Sequence, residues 1–142
     1  IETVVNSLHS GVARDSLGPG GLVAIGTSLD PAMTKSDSLL GNVIGKPGTL
    51  PPVWNKFSVE AKLLDRVVGT KNIQDMDELK TKEPLMITVG TRTTVGIPIT
   101  VRKNIVDINL TIPVCAPIGQ RIALSRRVDG KWHLIGYGII KE

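Results

Sequence analysis

Hydrophobic and polar residues alternate with a period of two in several stretches of the chain. The alternation runs over residues 57–63 and 106–112, where it places every second apolar side chain on one face. Residues 85–89 and 121–128 follow the same rule. Each stretch is predicted to be a strand with one buried face, and Ile112 is among the residues expected to point inward.

Turn residues separate these stretches. Asp129 and Gly130 lie between Val128 and Lys131, which predicts a two-residue hairpin. The 15 glycines and nine prolines recur at intervals of roughly 8 to 12 residues, as is typical of β-sandwiches and β-barrels. Helix is nearly absent, although Asp30 and Pro31 suit the start of one short helical turn. Residues 69–84 are polar and are predicted to form a long surface loop.

Glycine and proline also mark a boundary between two parts of the chain. Residues 45–52 contain two glycines and three prolines and cannot form a regular hydrogen-bonded ladder. Residues 53–142 suffice for one complete, closed β-barrel. Residues 1–52 are too few for another and are expected to be the last strands of a second barrel, in which the apolar run 22–25 forms a buried strand entered through a glycine turn. The fold class is therefore all-β.

The net charge of +4 is unevenly distributed. Residues 92–142 hold eight Lys or Arg and three Asp or Glu. Such an excess fits an anionic partner such as RNA, and it fits equally a solvated basic face without a partner. The predicted hairpin concentrates these cations near its tip, and the candidate RNA-contacting residues are Arg121, Arg126, Arg127, Lys131 and His133. The alternative is a salt-bridged hairpin with Trp132 in the core.

Other chemistry has little support in the sequence. The phosphate-binding pattern GxxxxGK[ST] does not occur, and Gly69 to Asn72 lack the spacing of a phosphate loop. Two histidines and one cysteine give no paired metal-ligand spacing, so no metal site is predicted. Cys115 is expected to fill the core rather than act as a nucleophile. No apolar run spans a bilayer, and the single thiol without a targeting signal favours the cytoplasm. The absent initiator Met suggests that the chain comes from a longer protein.

Several separate motifs together resemble one protein family. They are PGGLVAIGT at 19–27, LDP at 29–31, KPGTLPPVW at 46–54, LLDRVVG at 63–69, IALSRR at 122–127 and WHLIGYG at 132–138. In this order they resemble the gamma subunit of archaeal and eukaryotic translation initiation factor 2, a GTPase similar to elongation factor Tu. The resemblance implies that residues 1–52 end the family's second domain and that residues 53–142 form its third domain.

The resemblance also implies a function. In its GTP-bound form the family delivers methionylated initiator tRNA to the small ribosomal subunit, as one subunit of a heterotrimer with alpha and beta subunits. GTP and magnesium binding is implied for the missing G domain of the parent protein, so this chain is expected to catalyse nothing and to hold no cofactor. Pro19, Gly20 and Gly21 match a loop near the tRNA 3′ end in relatives, and the alternative for them is a turn that only closes the barrel. The alternative is a protein-docking barrel for partner subunits or an assembly factor, without direct RNA contact.

Overall fold

A computed structural model describes residues 1–65 and 78–142 of the chain. These residues divide into two compact units, Ile1–Leu40 and Gly41–Glu142. The predicted domain boundary at residues 52 and 53 lies inside the second unit and stays a prediction. Among the described residues, no helix has the length and hydropathy needed to span a bilayer.

The second unit contains a closed barrel of six antiparallel strands, which confirms the predicted all-β class and the complete barrel. The strands pair around the barrel in the order β4-β7-β6-β5-β8-β9. Their bounds are β4 Val53–Leu63, β5 Leu85–Val89, β6 Arg92–Arg102, β7 Ile105–Cys115, β8 Arg121–Val128 and β9 Lys131–Ile140. Closure leaves no unpaired edge strand, and the alternating inward residues form one core. Its largest fully buried side chains include Phe57, Leu85, Ile87, Ile108, Ile122, Leu124, Ile135 and Ile140.

The predicted inward position of Ile112 is wrong. This side chain is 41% exposed, although Val106 and Ile108 on the same strand are buried as expected. The register between β4 and β7 changes here, because Trp54 pairs with Val114 whereas Lys56 pairs with Asn109. Residues 110–113 of β7 therefore bulge opposite a single β4 residue, and a bulge interrupts the alternation of faces.

The first unit is a three-stranded sheet of order β2-β1-β3, formed by β1 Val5–Ser10, β2 Val12–Arg14 and β3 Ala24–Thr27. The predicted buried strand at 22–25 is wrong in its burial, because Leu22 is 93% exposed and none of residues 1–40 is buried. A three-stranded sheet buries a face only against a second layer. After β3, the expected short turn is a 3₁₀ helix, Pro31–Thr34, capped by Asp30 Oδ1, which accepts from the Ala32 N–H at 2.8 Å.

Part of the predicted loop at 69–84 lies outside the described residues. Residues 78–84 are described, form no strand and lead into β5. Leu79 is buried in the barrel core, and the Lys82 N–H donates to the Pro98 carbonyl at 2.8 Å. This segment therefore lies along the barrel at the end where β5 begins.

Gly136 is the tightest point in the pairing of β4 with β9. A Cβ at this position would clash with the carbonyl oxygen of Lys62 and would lie 2.9 Å from Leu63 Cα. At Gly138, on the same strand, the nearest atom is Val59 Cβ at 3.2 Å. We expect Gly136→Ala to lower the free energy of unfolding by about 3 kcal/mol, because backbone atoms cannot move aside. Gly138→Ala is the control and is expected to lower the free energy of unfolding by roughly 1 kcal/mol. Urea unfolding measures both variants. Equal costs would contradict this packing.

Candidate nucleic-acid interface

The β8–β9 hairpin presents two exposed cations at its tip. Its two turn residues, Asp129 and Gly130, both have positive φ, of 49° and 80°, as the predicted primed turn requires. Arg127, two residues before this turn, and Lys131, directly after it, are exposed. The Arg127 Nε–H donates to the Gly130 carbonyl at 3.3 Å, which holds the guanidinium close to the turn. Both cations are therefore accessible to an anionic ligand.

Arg126 is not on this surface, contrary to the expectation from sequence. Only 11% of its side chain is exposed, and its Nε lies 2.5 Å from Glu83 Oε1. Its Nη2 also donates to Glu83 Oε2 at 3.0 Å and to the Glu78 carbonyl at 2.9 Å. Arg126 follows the inward residues Ile122 and Leu124 at a spacing of two, so strand alternation alone indicates its inward direction.

Of the other two candidates, His133 lies two residues after Lys131 on β9, whereas Arg121 lies at the far end of β8. His133 pairs with Arg126 across the two strands, and its side chain is half-buried. Arg121 begins β8, six residues before Arg127, which separates the two by about 20 Å along the strand. Its guanidinium carbon lies 4.6 Å from the centroid of the Tyr137 ring, within cation–π distance. The five predicted residues therefore do not form one surface. Arg127 and Lys131 both lie at the tip but on opposite faces of the hairpin, because Arg127 pairs with Trp132 and Lys131 pairs with Val128.

Further cations, outside the predicted hairpin, lie at the same end of the barrel. Strands β6 and β8 both pair antiparallel with β5, so they run in the same direction and end on the same side. The β6–β7 turn therefore adjoins the end that carries the β8–β9 turn. We call this the basic end, and its exposed cations besides Arg127 and Lys131 include Lys82, Arg102 and Lys103. Pairing order, which isolated motifs do not reveal, brings them together.

The second candidate site is the glycine turn of the first unit. Pro19, Gly20 and Gly21 are exposed, and the φ angles of the two glycines are 99° and 75°. A Cβ built on either glycine would meet no atom within 4 Å. The positive φ angles explain the preference for glycine, and the open space leaves the backbone accessible to a ligand.

The described residues offer little for catalysis or for metal binding. No cluster of three or more His, Cys, Asp or Glu that could hold a metal ion occurs in residues 1–65 and 78–142. Cys115 is half-buried, and its thiol donates to the Pro51 carbonyl at 3.3 Å. The sequence predicted a small buried thiol that fills the core, whereas the structure shows Cys115 only partly buried.

Comparison with known proteins identifies the family. A family model described as "Initiation factor eIF2 gamma, C terminal" matches residues 55–140, which is the barrel. The chain belongs to the initiation factor 2 gamma-subunit family. It is 56% identical over 139 residues to the translation initiation factor 2 subunit gamma of Methanothermobacter thermautotrophicus, covering 98% of this chain and 34% of that relative. The corresponding protein of Methanosarcina mazei is 50% identical, over 100% of this chain and 33% of the relative.

Membership in the gamma-subunit family confirms the resemblance seen in the sequence motifs. The homologue of Methanocaldococcus jannaschii is 54% identical over 87% of this chain and 30% of its own length. The chain thus spans about a third of the length of the gamma subunits it matches, and the matched model describes their C-terminal part.

Proposed function

We propose that this chain is the C-terminal β-barrel portion of a gamma subunit that delivers methionylated initiator tRNA to the small ribosomal subunit. The observation that carries the proposal is the exposed pair Arg127 and Lys131 at the tip of a barrel hairpin. Arginine and lysine bind phosphate oxygens through charge-assisted hydrogen bonds, and such contacts supply most sequence-independent affinity for RNA. The barrel contributes by shape and charge, without catalysis.

The rest of the parent protein supplies the nucleotide chemistry in this proposal. GTP and magnesium bind in a G domain outside this chain, and the gamma subunit assembles with alpha and beta subunits in the cytoplasm. Residues 1–52 form the end of the second domain, and residues 53–142 form the third. Support comes from family membership and from the match of the family's C-terminal model to the barrel.

A tethered cleavage probe tests where RNA lies. We expect an iron chelate on Lys131→Cys to cleave initiator tRNA or ribosomal RNA when the full-length factor is bound to the small subunit. The control carries the chelate on Ile118→Cys, an exposed position in the β7–β8 turn at the opposite barrel end. Both variants also carry Cys115→Ala, which removes the one native cysteine of this chain, and the Cys115→Ala factor without either new cysteine, treated with the same chelate, gives the background cleavage. Equal cleavage from both positions, or none from Lys131→Cys, would contradict the proposal.

Protein docking is the second candidate function. It is supported by exposed apolar side chains on the outer face of the same hairpin. Trp132 and Leu134 are 38% and 41% exposed on β9, beside the tip. Exposed aromatic and apolar residues at one patch are typical of protein interfaces. In the probe experiment this function predicts cleavage of a partner protein's backbone near Lys131→Cys, with the RNA left intact.

We further propose that Pro19, Gly20 and Gly21 lie close to the aminoacylated 3′ end of the tRNA. Gly21→Ala is expected to weaken binding of methionylated initiator tRNA by the full-length factor severalfold, because a side chain would obstruct backbone contact with the ligand. Gly11→Ala is the matched control: it also has positive φ and open space around its Cβ, but lies in the β1–β2 turn. Equal losses would show that backbone strain, not ligand contact, is responsible.

A further inference from the structure

We infer that the barrel binds RNA phosphates through two additional turns at the basic end, by way of Lys82 and Lys103. The inference rests on the proposed function and extends it from one hairpin to a wider phosphate-binding surface. Lys82 lies in the segment before β5, and Lys103 lies in the β6–β7 turn. Both side chains are exposed, and no acidic residue among those described lies within ion-pair distance of either ammonium group.

The backbone at both lysines is in a conformation that lysine disfavours. Their φ angles are 64° and 54°, in the left-handed region that glycine occupies without steric cost. Lys103 is also the first of the two residues between β6 and β7, where hairpins with one positive φ usually place glycine. Residues with strained backbone conformations cluster at functional sites, where the function of the side chain offsets the conformational energy of the backbone. Five non-glycine residues among those described have positive φ, and Lys82 and Lys103 are the two that carry an exposed positive charge.

Specific contacts fix the turns that carry these charges. The Lys82 N–H donates to the Pro98 carbonyl, and the buried Arg126 binds both Glu83 and the Glu78 carbonyl on either side of Lys82. At the other turn, the Asn104 carbonyl accepts from the Ala61 N–H at 2.7 Å. The backbone that carries each lysine is thus held by hydrogen bonds, and this lowers the entropic cost of binding a phosphate.

The ligand expected here is the phosphodiester backbone of RNA. Three turns at one barrel end offer cations from different strands, namely Lys82, Arg102 with Lys103, and Arg127 with Lys131. Charges spread over several turns suit a continuous row of phosphates, whereas a single small anion needs only one cluster. The same chemistry is present in tRNA and in ribosomal RNA, so both are tested.

The test replaces both strained lysines by glycine, as Lys82→Gly with Lys103→Gly, in the full-length factor. Glycine removes the charge and relieves the backbone, so we expect the melting temperature to stay equal or rise while the Kd for RNA increases about tenfold at physiological salt. The probes are methionylated initiator tRNA and purified small ribosomal subunits, and the affected probe identifies the RNA. Lys82→Arg with Lys103→Arg is expected to retain binding. If the glycine variant does not fold, Lys82→Gln with Lys103→Gln replaces it.

A matched control removes the same charge elsewhere. Lys46→Ala with Lys56→Ala changes two exposed cations, one in the segment before β4 and one near the start of β4, away from the basic end. The inference is overturned if the glycine variant binds both RNAs within twofold of the wild type, if the control loses as much affinity, or if only assembly with the other subunits weakens. If Arg127→Glu with Lys131→Glu loses RNA affinity while the glycine variant does not, the proposed function stands without the extension. If neither loses affinity, both fail.

Discussion

Arg126→Met is expected to lower the free energy of unfolding of the barrel by about 3 kcal/mol. Breaking a buried ion pair by removing one partner leaves the other charge uncompensated, which typically costs about 3–5 kcal/mol. Glu83 would keep its negative charge with 23% of its side chain exposed, and the Glu78 carbonyl would lose its donor. We take the lower end of the range because water partly solvates Glu83.

The matched control is Arg127→Met, the next residue on the same strand. Arg127 is exposed, so its replacement is expected to change stability by no more than about 0.5 kcal/mol. Urea unfolding followed by tryptophan fluorescence measures both variants. Trp54 and Trp132, the two tryptophans of the chain, lie in the barrel strands, so the signal reports the barrel rather than the first unit. Equal losses for the two variants would contradict the structural role of Arg126.

The second large effect is on RNA binding. We expect Arg127→Glu with Lys131→Glu to weaken binding of the full-length factor to initiator tRNA or to the small ribosomal subunit by at least about tenfold near 0.15 M salt. The two substitutions remove two phosphate contacts and place two negative charges beside the RNA backbone. The hairpin itself should persist, because Asp129 and Gly130, which form its turn, are unchanged.

Lys56→Glu with Lys141→Glu changes the net charge by the same amount away from the hairpin tip. Filter binding of labelled RNA measures both double variants, and pull-down with alpha and beta subunits measures assembly. A similar loss of RNA affinity in both would attribute the effect to overall charge. Lost assembly with unchanged RNA affinity in the hairpin variant would favour the protein-docking function.

Strand alternation and turn chemistry predicted β4, β5, β7, β8 and the start of β9, but they did not predict β6, Arg92–Arg102. Residues 85–89 and 121–128 coincide with β5 and β8, and the Asp129-Gly130 turn has the positive φ angles expected. The alternation failed at Ile112, because the β7 bulge depends on pairing with β4, a strand about 50 residues away in sequence. Burial of residues 22–25 failed for a related reason, since burial depends on a second layer that a local pattern does not show.

The candidate site was predicted less completely than the fold. Proximity to the turn identified Arg127 and Lys131, but it also included Arg126. The inward orientation of Arg126 follows from strand alternation, because it shares a face of β8 with the buried Leu124. Glu83, the ion-pair partner of Arg126, lies 43 residues away in sequence, so a local sequence pattern could not predict this ion pair. Lys82 and Lys103 were missed because their proximity to the hairpin follows from barrel closure, and their positive φ angles follow from turn geometry.

The measurement that tests the central claim most directly is the salt dependence of RNA affinity for the full-length factor and for its Arg127→Glu, Lys131→Glu variant. Each phosphate contact contributes a slope of roughly 0.7 to 0.9 in a plot of log affinity against log salt. If the hairpin tip binds the RNA backbone, the slope of the variant is smaller in magnitude by about two. An unchanged slope would show that the tip of the β8–β9 hairpin makes no phosphate contact.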